Sequence, residues 1–281
     1  MLWHDHFRKH QGLGRAPLRV LRNVSSSSAA KYLSSERVAG ARERFPGVLR
    51  KVKAVILAGG QAMRLRPLTD DKPKALIEVN GRPISEYQLE WLAKEAEVEQ
   101  VTFACGYKWE KLREHFGSSY KGIPIAYSVE NEPLGTGGAV RRAIASGLSD
   151  ESFVVTNGDI ITDLPLGRMI DAHKQAGEIT ASMLVVPYRS RFGVVKIDKL
   201  RMVRGFEEKP AFPDVWINGG VYVLNGRKVS KSLPDSGDIE RETFPKLVDR
   251  GELLSYPYYG EWWFVDSLKD LKELESSMQA T

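Results

Sequence analysis

The chain has 281 residues, 42% of them hydrophobic and 27% charged, a globular composition that excludes a fibrous or wholly disordered protein. Its longest stretch without a charged side chain, Val215 to Gly226, is 12 residues, whereas a membrane-spanning helix needs about 20, so no membrane span is expected. The net charge of +5 divides unevenly, with 10 Lys+Arg against 3 Asp+Glu in residues 1–50 and 31 against 33 in residues 51–281; a near-neutral body gives no reason to expect nucleic acid as a partner.

Residues 1–50 carry no sustained hydrophobic period, contain the run Ser25-Ser26-Ser27-Ser28 and are poor in acid. Such a segment buries too little apolar surface to offset its ordering entropy, so a basic, disordered N-terminal extension is expected. Two other readings stay open: an Arg- and Ser-rich organelle transit peptide, and a basic arm for an acidic partner. The segment lacks the apolar core of a secretory signal. The single cysteine, Cys105, forms no internal disulfide and fits a reducing compartment. The expected location is the cytoplasm, or an organelle if residues 1–50 are a transit peptide.

From Lys51 the pattern changes. Val52 to Ala58 is a short apolar run closed by Gly59-Gly60, which predicts a buried strand entering a loop. Apolar residues at 84, 87, 91, 92 and 96 have helical spacing over Ile84–Ala96. Strands are predicted at Val98–Ala104, Ile123–Ser128 and Phe153–Thr156, with helices at Trp109–Phe116 and Thr136–Leu148 between them. This alternation implies a mostly parallel sheet covered on both faces. After Asp159 the predicted strands Ile179–Val186, Val194–Ile197, Met202–Phe206 and Trp216–Leu224 follow with little helix between. They suggest an antiparallel or mixed extension where a substrate pocket would sit. An amphipathic helix over Ser267–Met278 closes the pattern. No hexapeptide repeat run follows the body, so no appended parallel β-helix is expected in the chain.

The most informative segment is Leu57-Ala58-Gly59-Gly60-Gln61-Ala62-Met63-Arg64-Leu65-Arg66-Pro67-Leu68-Thr69-Asp70-Asp71-Lys72-Pro73-Lys74. Two glycines after a strand let backbone N–H groups approach an anion. Arg64 offers a fork of donors suited to phosphate oxygens, and Lys74 a compact charge at the far end of the loop. Pro67 and Pro73 prevent a long helix here, which argues against a dinucleotide fold, whose glycines open directly into one. The spacing is not that of a P-loop either. Two other segments stand out. Asn157-Gly158-Asp159 follows a predicted strand, where an Asx-type turn and a ligand carboxylate are both open readings. Glu132-Pro133-Leu134-Gly135-Thr136-Gly137-Gly138-Ala139 is a glycine-rich turn opening a helix.

Residues 57–74 resemble the signature of the sugar-1-phosphate nucleotidylyltransferases, departing at Ala62, where that family usually has Gly, and at Met63, where it has Thr or Glu. The Ala62 departure is mild if φ there is negative and costly if φ is positive. The resemblance runs from about Val52 to Glu275. It implies a three-layer α/β/α, Rossmann-like nucleotidyltransferase fold over residues 51–281, with a mixed, mostly parallel sheet and an extended sugar-binding β region. It implies a reaction in which a nucleoside triphosphate and a sugar 1-phosphate yield a nucleotide-sugar and pyrophosphate, with Mg²⁺ as cofactor. The catalytic residues would be Arg64, Lys74 and Asp159, and the metal ligands Asp159 and Asp266. Asp266 also precedes a helix, and a role as its N-cap stays open.

By the same resemblance Leu57, Gly59, Gly60, Gly106, Tyr107, Gly135 and Thr136 would bind the nucleotide. Gly193, in Arg191-Phe192-Gly193, would bind the sugar phosphate together with Glu208 and Lys209, in Phe206-Glu207-Glu208-Lys209-Pro210, and with Asn218 and Gly219. The nucleobase is not fixed: the turn at 134–138 resembles guanylyltransferases, while the segments 104–108 and 265–270 resemble glucose-1-phosphate cytidylyltransferases. Cys105 reads as a buried small hydrophobe, and His115 and His173 as structural residues on helices. Tyr256, Tyr258, Tyr259, Trp262 and Trp263 read as core or as a sugar-facing wall. A non-catalytic nucleotide-sugar-binding subunit on the same fold is the alternative function. Oligomeric state stays open, a homo-oligomer included.

Overall fold

The computed structural model describes residues 51–148 and 152–279. The expected disordered extension, residues 1–50, lies outside them. In chain order the elements begin with β1 (Lys51–Ala58), β2 (Glu78–Val79), β3 (Arg82–Pro83), α1 (Ile84–Glu95), β4 (Glu97–Cys105), α2 (Trp109–Phe116), β5 (Ser119–Tyr120), β6 (Ile123–Val129) and α3 (Gly135–Ala145). Next come β7 (Ser152–Asn157), β8 (Ile160–Thr162), α4 (Leu166–Gln175), β9 (Ala181–Arg189), β10 (Val194–Ile197), β11 (Val203–Glu207) and β12 (Ala211–Asn225). The last are α5 (Gly226–Val229), α6 (Ile239–Glu242), α7 (Phe244–Asp249), β13 (Leu253–Pro257), β14 (Trp262–Phe264) and α8 (Leu268–Gln279).

Eight strands form one sheet in the order β13-β9-β12-β7-β1-β4-β6-β5. β1 is parallel to β4 and β7, and β4 is parallel to β6. β12 runs antiparallel to β7 and β9, and β13 is parallel to β9. The sheet is therefore parallel where strand and helix alternate and mixed beyond, as the sequence pattern predicts.

Side chains alternate across the strands and bury both faces. On one face Ala54, Ile56 and Ala58 of β1 pack with Leu89 and Leu92 of α1, Leu112 and Phe116 of α2, and Leu166, Met169 and Ile170 of α4. On the other, Val55, Val155, Tyr222 and Leu224 pack with Val140, Ala143 and Ile144 of α3 and with Ile239, Phe244 and Leu247 of the short helices. A third cluster joins Leu65, Ile77, Val79 and Ile84 to Val265 and to Leu271 and Leu274 of α8. It pins the long loop after β1 against the C-terminal helix.

Several elements go beyond the sequence reading, among them strands β5, β8, β13 and β14. α4, α5, α6 and α7 were not among the predicted helices. α4 has a helical signal of its own, with Leu166, Met169, Ile170 and His173 all buried on one face, whereas the other three are only 4 to 6 residues long, too short for a period to show. The aromatic stretch is mostly core. Tyr256, Tyr258 and Trp262 pack against the first cluster and Trp263 against the third. Tyr259, 71% exposed, meets Trp216 edge-on.

Candidate active site

The parallel strands β7, β1, β4 and β6 all end on the same edge of the sheet, and a cavity of about 730 Å³ opens there. Ligands of open α/β sheets bind at this carboxyl edge. The wall includes residues 57–62 at the end of β1 and beyond it, Gly106 and Tyr107 after β4, residues 130–133 after β6, and 157–159 at the end of β7 and beyond it. Leu57, Gly59, Gly60, Gly106, Tyr107, Gly135 and Thr136 all line it, as do Lys74 and Asp159.

The loop after β1 is held by backbone and side-chain bonds. The Tyr107 hydroxyl donates to the Thr69 carbonyl at 3.0 Å, and buried Thr69 donates to the Ala62 carbonyl at 3.1 Å. Ala62 stands at φ 46° and ψ 51°, the left-handed region that a residue with a Cβ enters at a cost of about 1–2 kcal/mol. The departure from glycine is therefore the costly kind.

Glu130 is a wall residue that the sequence reading left out. Its carboxylate lies over the two glycines: a Cβ on Gly59 would collide with Glu130 Oε1, and one on Gly106 would stand 2.8 Å from Glu130 Cγ. Glu130 Oε2 accepts the Leu134 N–H at 3.2 Å. Gly59 and Gly106 leave the space in which this carboxylate stands.

The glycines of the turn at 134–138 are also packing residues. Gly135 has φ +71°, and a Cβ there would stand 2.5 Å from the Gly237 carbonyl oxygen. That carbonyl accepts the N–H of Gly137 at 2.9 Å and of Gly138 at 3.3 Å, while Gly237 N–H donates to Leu134 at 2.8 Å. The glycines let the start of α3 dock against the loop before α6. Close packing thus constrains these glycines, while Gly135 and Thr136 also face the cavity.

Beside the cavity the charges converge. Lys74 Nζ lies 2.8 Å from Asp159 Oδ2 and 3.5 Å from Asp266 Oδ1, and the Arg64 guanidinium pairs with the other oxygen of Asp266. The two carboxylates meet because β8 and β14 pair antiparallel, Ile160 opposite Phe264, with Val265 N–H bound to the Asp159 carbonyl at 3.0 Å. Lys74 is 15% exposed and its pairing is poorly screened, whereas Arg64 is 75% exposed and its pair adds little stability.

Neither aspartate is taken up by the local hydrogen-bonding role that its position in the sequence also offers. Asn157 Oδ1 is buried without a hydrogen-bond partner, so no Asx-type turn forms through it. Ser267, not Asp266, caps α8: its hydroxyl accepts the Asp270 N–H at 3.2 Å, and Asp270 accepts the Asp266 N–H in return at 3.2 Å. The Asp266 side chain is left to the cations.

None of residues 160–237 lines this cavity, so Gly193, Glu208, Lys209, Asn218 and Gly219 stand apart from its wall. Gly193 lies under the Phe206 ring and close to Glu208 Oε2, with a Cβ there 2.5 Å and 2.9 Å from them. Lys209 pairs with Glu273 of α8 at 2.8 Å. Asn218 binds Tyr222 and Gly220, and the Gly219 carbonyl accepts Trp262 Nε1–H at 2.8 Å. Phe264 links this region to the charge cluster, its ring centre lying 4.9 Å from the Arg191 guanidinium and 6.0 Å from Lys74 Nζ.

Cys105 is buried, and burial pushes its thiol up to about 12, so it is no nucleophile at neutral pH. His115 bonds Glu86 at 2.9 Å on the surface.

Known proteins resemble the chain in sequence and in fold. A family model described as nucleotidyl transferase matches residues 53–280. The mannose-1-phosphate guanyltransferase of Candida albicans is 38% identical over 229 residues, 78% of this chain and 62% of that protein. The D-glycero-alpha-D-manno-heptose 1-phosphate guanylyltransferase of Aneurinibacillus thermoaerophilus is 32% identical over 220 residues, 76% of this chain and 92% of that protein. The chain thus spans 62% of the length of the fungal relatives it matches. The crystal structure of HddC from Yersinia pseudotuberculosis, also solved in complex with GMP-PN, has a TM-score of 0.63 at 24% identity and covers 81% of this chain and 99% of its own; it shows a shared fold. The match over nearly the whole body, together with relatives more than 30% identical, means that the chain belongs to the nucleotidyl transferase family.

Proposed function

We propose that the chain transfers a nucleotidyl group from a nucleoside triphosphate to a sugar 1-phosphate, releasing pyrophosphate. The observation that carries this reading is Lys74, held between Asp159 and Asp266 beside a glycine-walled cavity at the carboxyl edge of the sheet. A sugar phosphate oxygen attacks the α-phosphorus, a new P–O bond forms, and the bond to the β-phosphate oxygen breaks. Such a transfer rests on positioning and charge rather than on a covalent nucleophile. Arg64 and Lys74 exchange carboxylate partners for phosphate oxygens. Arg64 grips the triphosphate and the departing pyrophosphate with its planar fork, and Lys74 neutralises the reacting phosphates.

The residues present fit a divalent cation. Asp159 Oδ1 is buried and has no hydrogen-bond partner, and Asp266 lies across the same ammonium. Among the described residues no group of three or more His, Cys, Asp or Glu is placed to hold a metal ion; Mg²⁺ is suited by a sparse set of two carboxylates, completed by phosphate and water oxygens. Asp159 and Asp266 would hold it, and when bound it would supply further positive charge at the phosphates.

Guanine is the base we assign. Glu130 presents a carboxylate in the nucleotide cavity, an acceptor suited to the paired ring and amino N–H donors on the guanine edge, whereas cytosine offers only its amino group. The guanylyltransferase relatives support the same assignment, and their names point to a manno-configured sugar 1-phosphate. Residues 51–281 form the catalytic domain in this reading. The sensor alternative is disfavoured because Arg64, Lys74, Asp159 and Asp266 are all retained and brought together.

The test is pyrophosphate release across a panel of nucleoside triphosphates and sugar 1-phosphates with Mg²⁺. GTP with a manno-configured sugar 1-phosphate is expected to stand out, and Glu130→Gln to lose about tenfold of the preference for GTP. Binding of nucleotide-sugars by folded protein that turns over no pair would favour the sensor.

A further inference from the structure

A line of hydrogen-bonded side chains joins Thr136 on the cavity wall to Asn218 on strand β12, and its two middle members, Glu240 and Tyr222, have no part in the proposed reaction. Thr136, on the cavity wall, donates its hydroxyl to Glu240 Oε2 at 2.6 Å and accepts the Ile239 N–H at 3.0 Å. The other oxygen of that carboxylate accepts the Tyr222 hydroxyl at 3.2 Å. The same hydroxyl accepts from Asn218 Nδ2 at 2.7 Å, and Asn218 Oδ1 accepts the Gly220 N–H at 2.9 Å. Tyr222 is fully buried against Phe244, so water offers its hydroxyl no alternative partner.

The line ends at an irregularity. The β12–β9 register shifts between Asn218 and Tyr222. Gly220 has φ +70°, and a Cβ there would stand 2.9 Å from Asn157 Nδ2. The bulge therefore touches the strand end that leads into Gly158-Asp159. A carboxylate suits the middle of the line because it accepts two hydroxyl donors at once, one on each oxygen; an amide would set an N–H₂ against one of them.

We propose that Glu240 is a positioning residue that, through Tyr222, registers the 218–220 bulge against the nucleotide cavity and so aligns the sugar 1-phosphate with bound nucleotide. This rests on the functional reading above. It adds residues that carry no charge to the reacting atoms and that set the distance between the two substrate sites.

The test compares full-length wild-type protein with Tyr222→Phe and Glu240→Gln, using GTP, mannose 1-phosphate and Mg²⁺, and reads Tm, the GTP Kd by calorimetry and both KM values. Tyr222→Phe is expected to keep the GTP Kd within about twofold and to raise the KM for mannose 1-phosphate about tenfold, the scale of a small misplacement. Glu240→Gln shifts the same KM and, through Thr136, also weakens GTP. A lowered Tm with both KM values unmoved marks a structural network and overturns the inference. If Tyr222→Phe does not fold, the isosteric Glu240→Gln carries the comparison. Active wild-type protein with an unmoved split sinks this inference alone. Wild-type protein that neither binds GTP nor releases pyrophosphate with any sugar 1-phosphate sinks the functional reading, and this inference with it.

Discussion

At the scale of single residues, the charge cluster and Ala62 make the sharpest claims. Lys74 is the counter-ion of two partly buried carboxylates. Its loss leaves them facing each other, so Lys74→Ala is expected to lower Tm as well as turnover. Asp159→Asn keeps the shape and removes only charge, which makes it the cleaner probe of the site. Each variant should reduce kcat/KM by about 100-fold or more, the usual effect of removing one preorganised electrostatic group, with circular dichroism showing a retained fold. Ala62 makes the opposite kind of prediction. At φ 46°, Ala62→Gly relieves left-handed strain and should raise unfolding free energy by up to about 1 kcal/mol, net of the greater chain entropy of glycine. Denaturant unfolding checks it, and a destabilised variant contradicts it.

At the scale of elements, two helices carry predictions. The start of α3 docks onto the Gly237 carbonyl, so Gly135→Ala meets both a positive φ and a contact at 2.5 Å. It should cost about 1–3 kcal/mol of stability and weaken nucleotide binding, read by calorimetry, because Thr136 follows directly on the cavity wall. On α4, His173 is 4% exposed and bonds Ser182 Oγ at 2.9 Å. Burial lowers its pKa from 6.5 to about 4. Between those values the unfolded chain binds a proton that the folded chain does not. Stability therefore falls as pH drops from 6.5 towards 4, by roughly 3 kcal/mol at most if His173 acts alone. His173→Gln should flatten that part of the pH–stability curve; an unchanged slope would assign the acid sensitivity to other groups.

At the scale of the molecule, the parallel half of the sheet was legible in the sequence because its strands and helices alternate with clean periods. β1, α1, β4 and α2 fall within two residues of their predicted bounds. The cavity wall was legible because it hangs on strand ends and glycines. Glu130 was not: its part depends on Gly59 and Gly106, which lie far from it in sequence and meet it only across the sheet edge. The link from Thr136 to Asn218 was hidden for the same reason, since it passes through α6, a helix of 4 residues. The glycines at 135, 137 and 138 were legible as special but not as docking residues, because the Gly237 carbonyl that requires them comes about 100 residues later. All the charges of the proposed site lie within the family match at 53–280. A chain lacking residues 1–50 is therefore expected to keep pyrophosphate release within about twofold, the scatter of surface changes remote from a site; its loss would give that segment a role in the reaction.

The central claim is that the Lys74–Asp159–Asp266 cluster is where nucleotidyl transfer takes place. Its most direct test is pyrophosphate release from GTP and a manno-configured sugar 1-phosphate with Mg²⁺, comparing wild-type protein with Asp159→Asn of matched Tm. The predicted result is release that requires both substrates and falls about 100-fold in the variant. Release from Asp159→Asn at the wild-type rate would contradict the account.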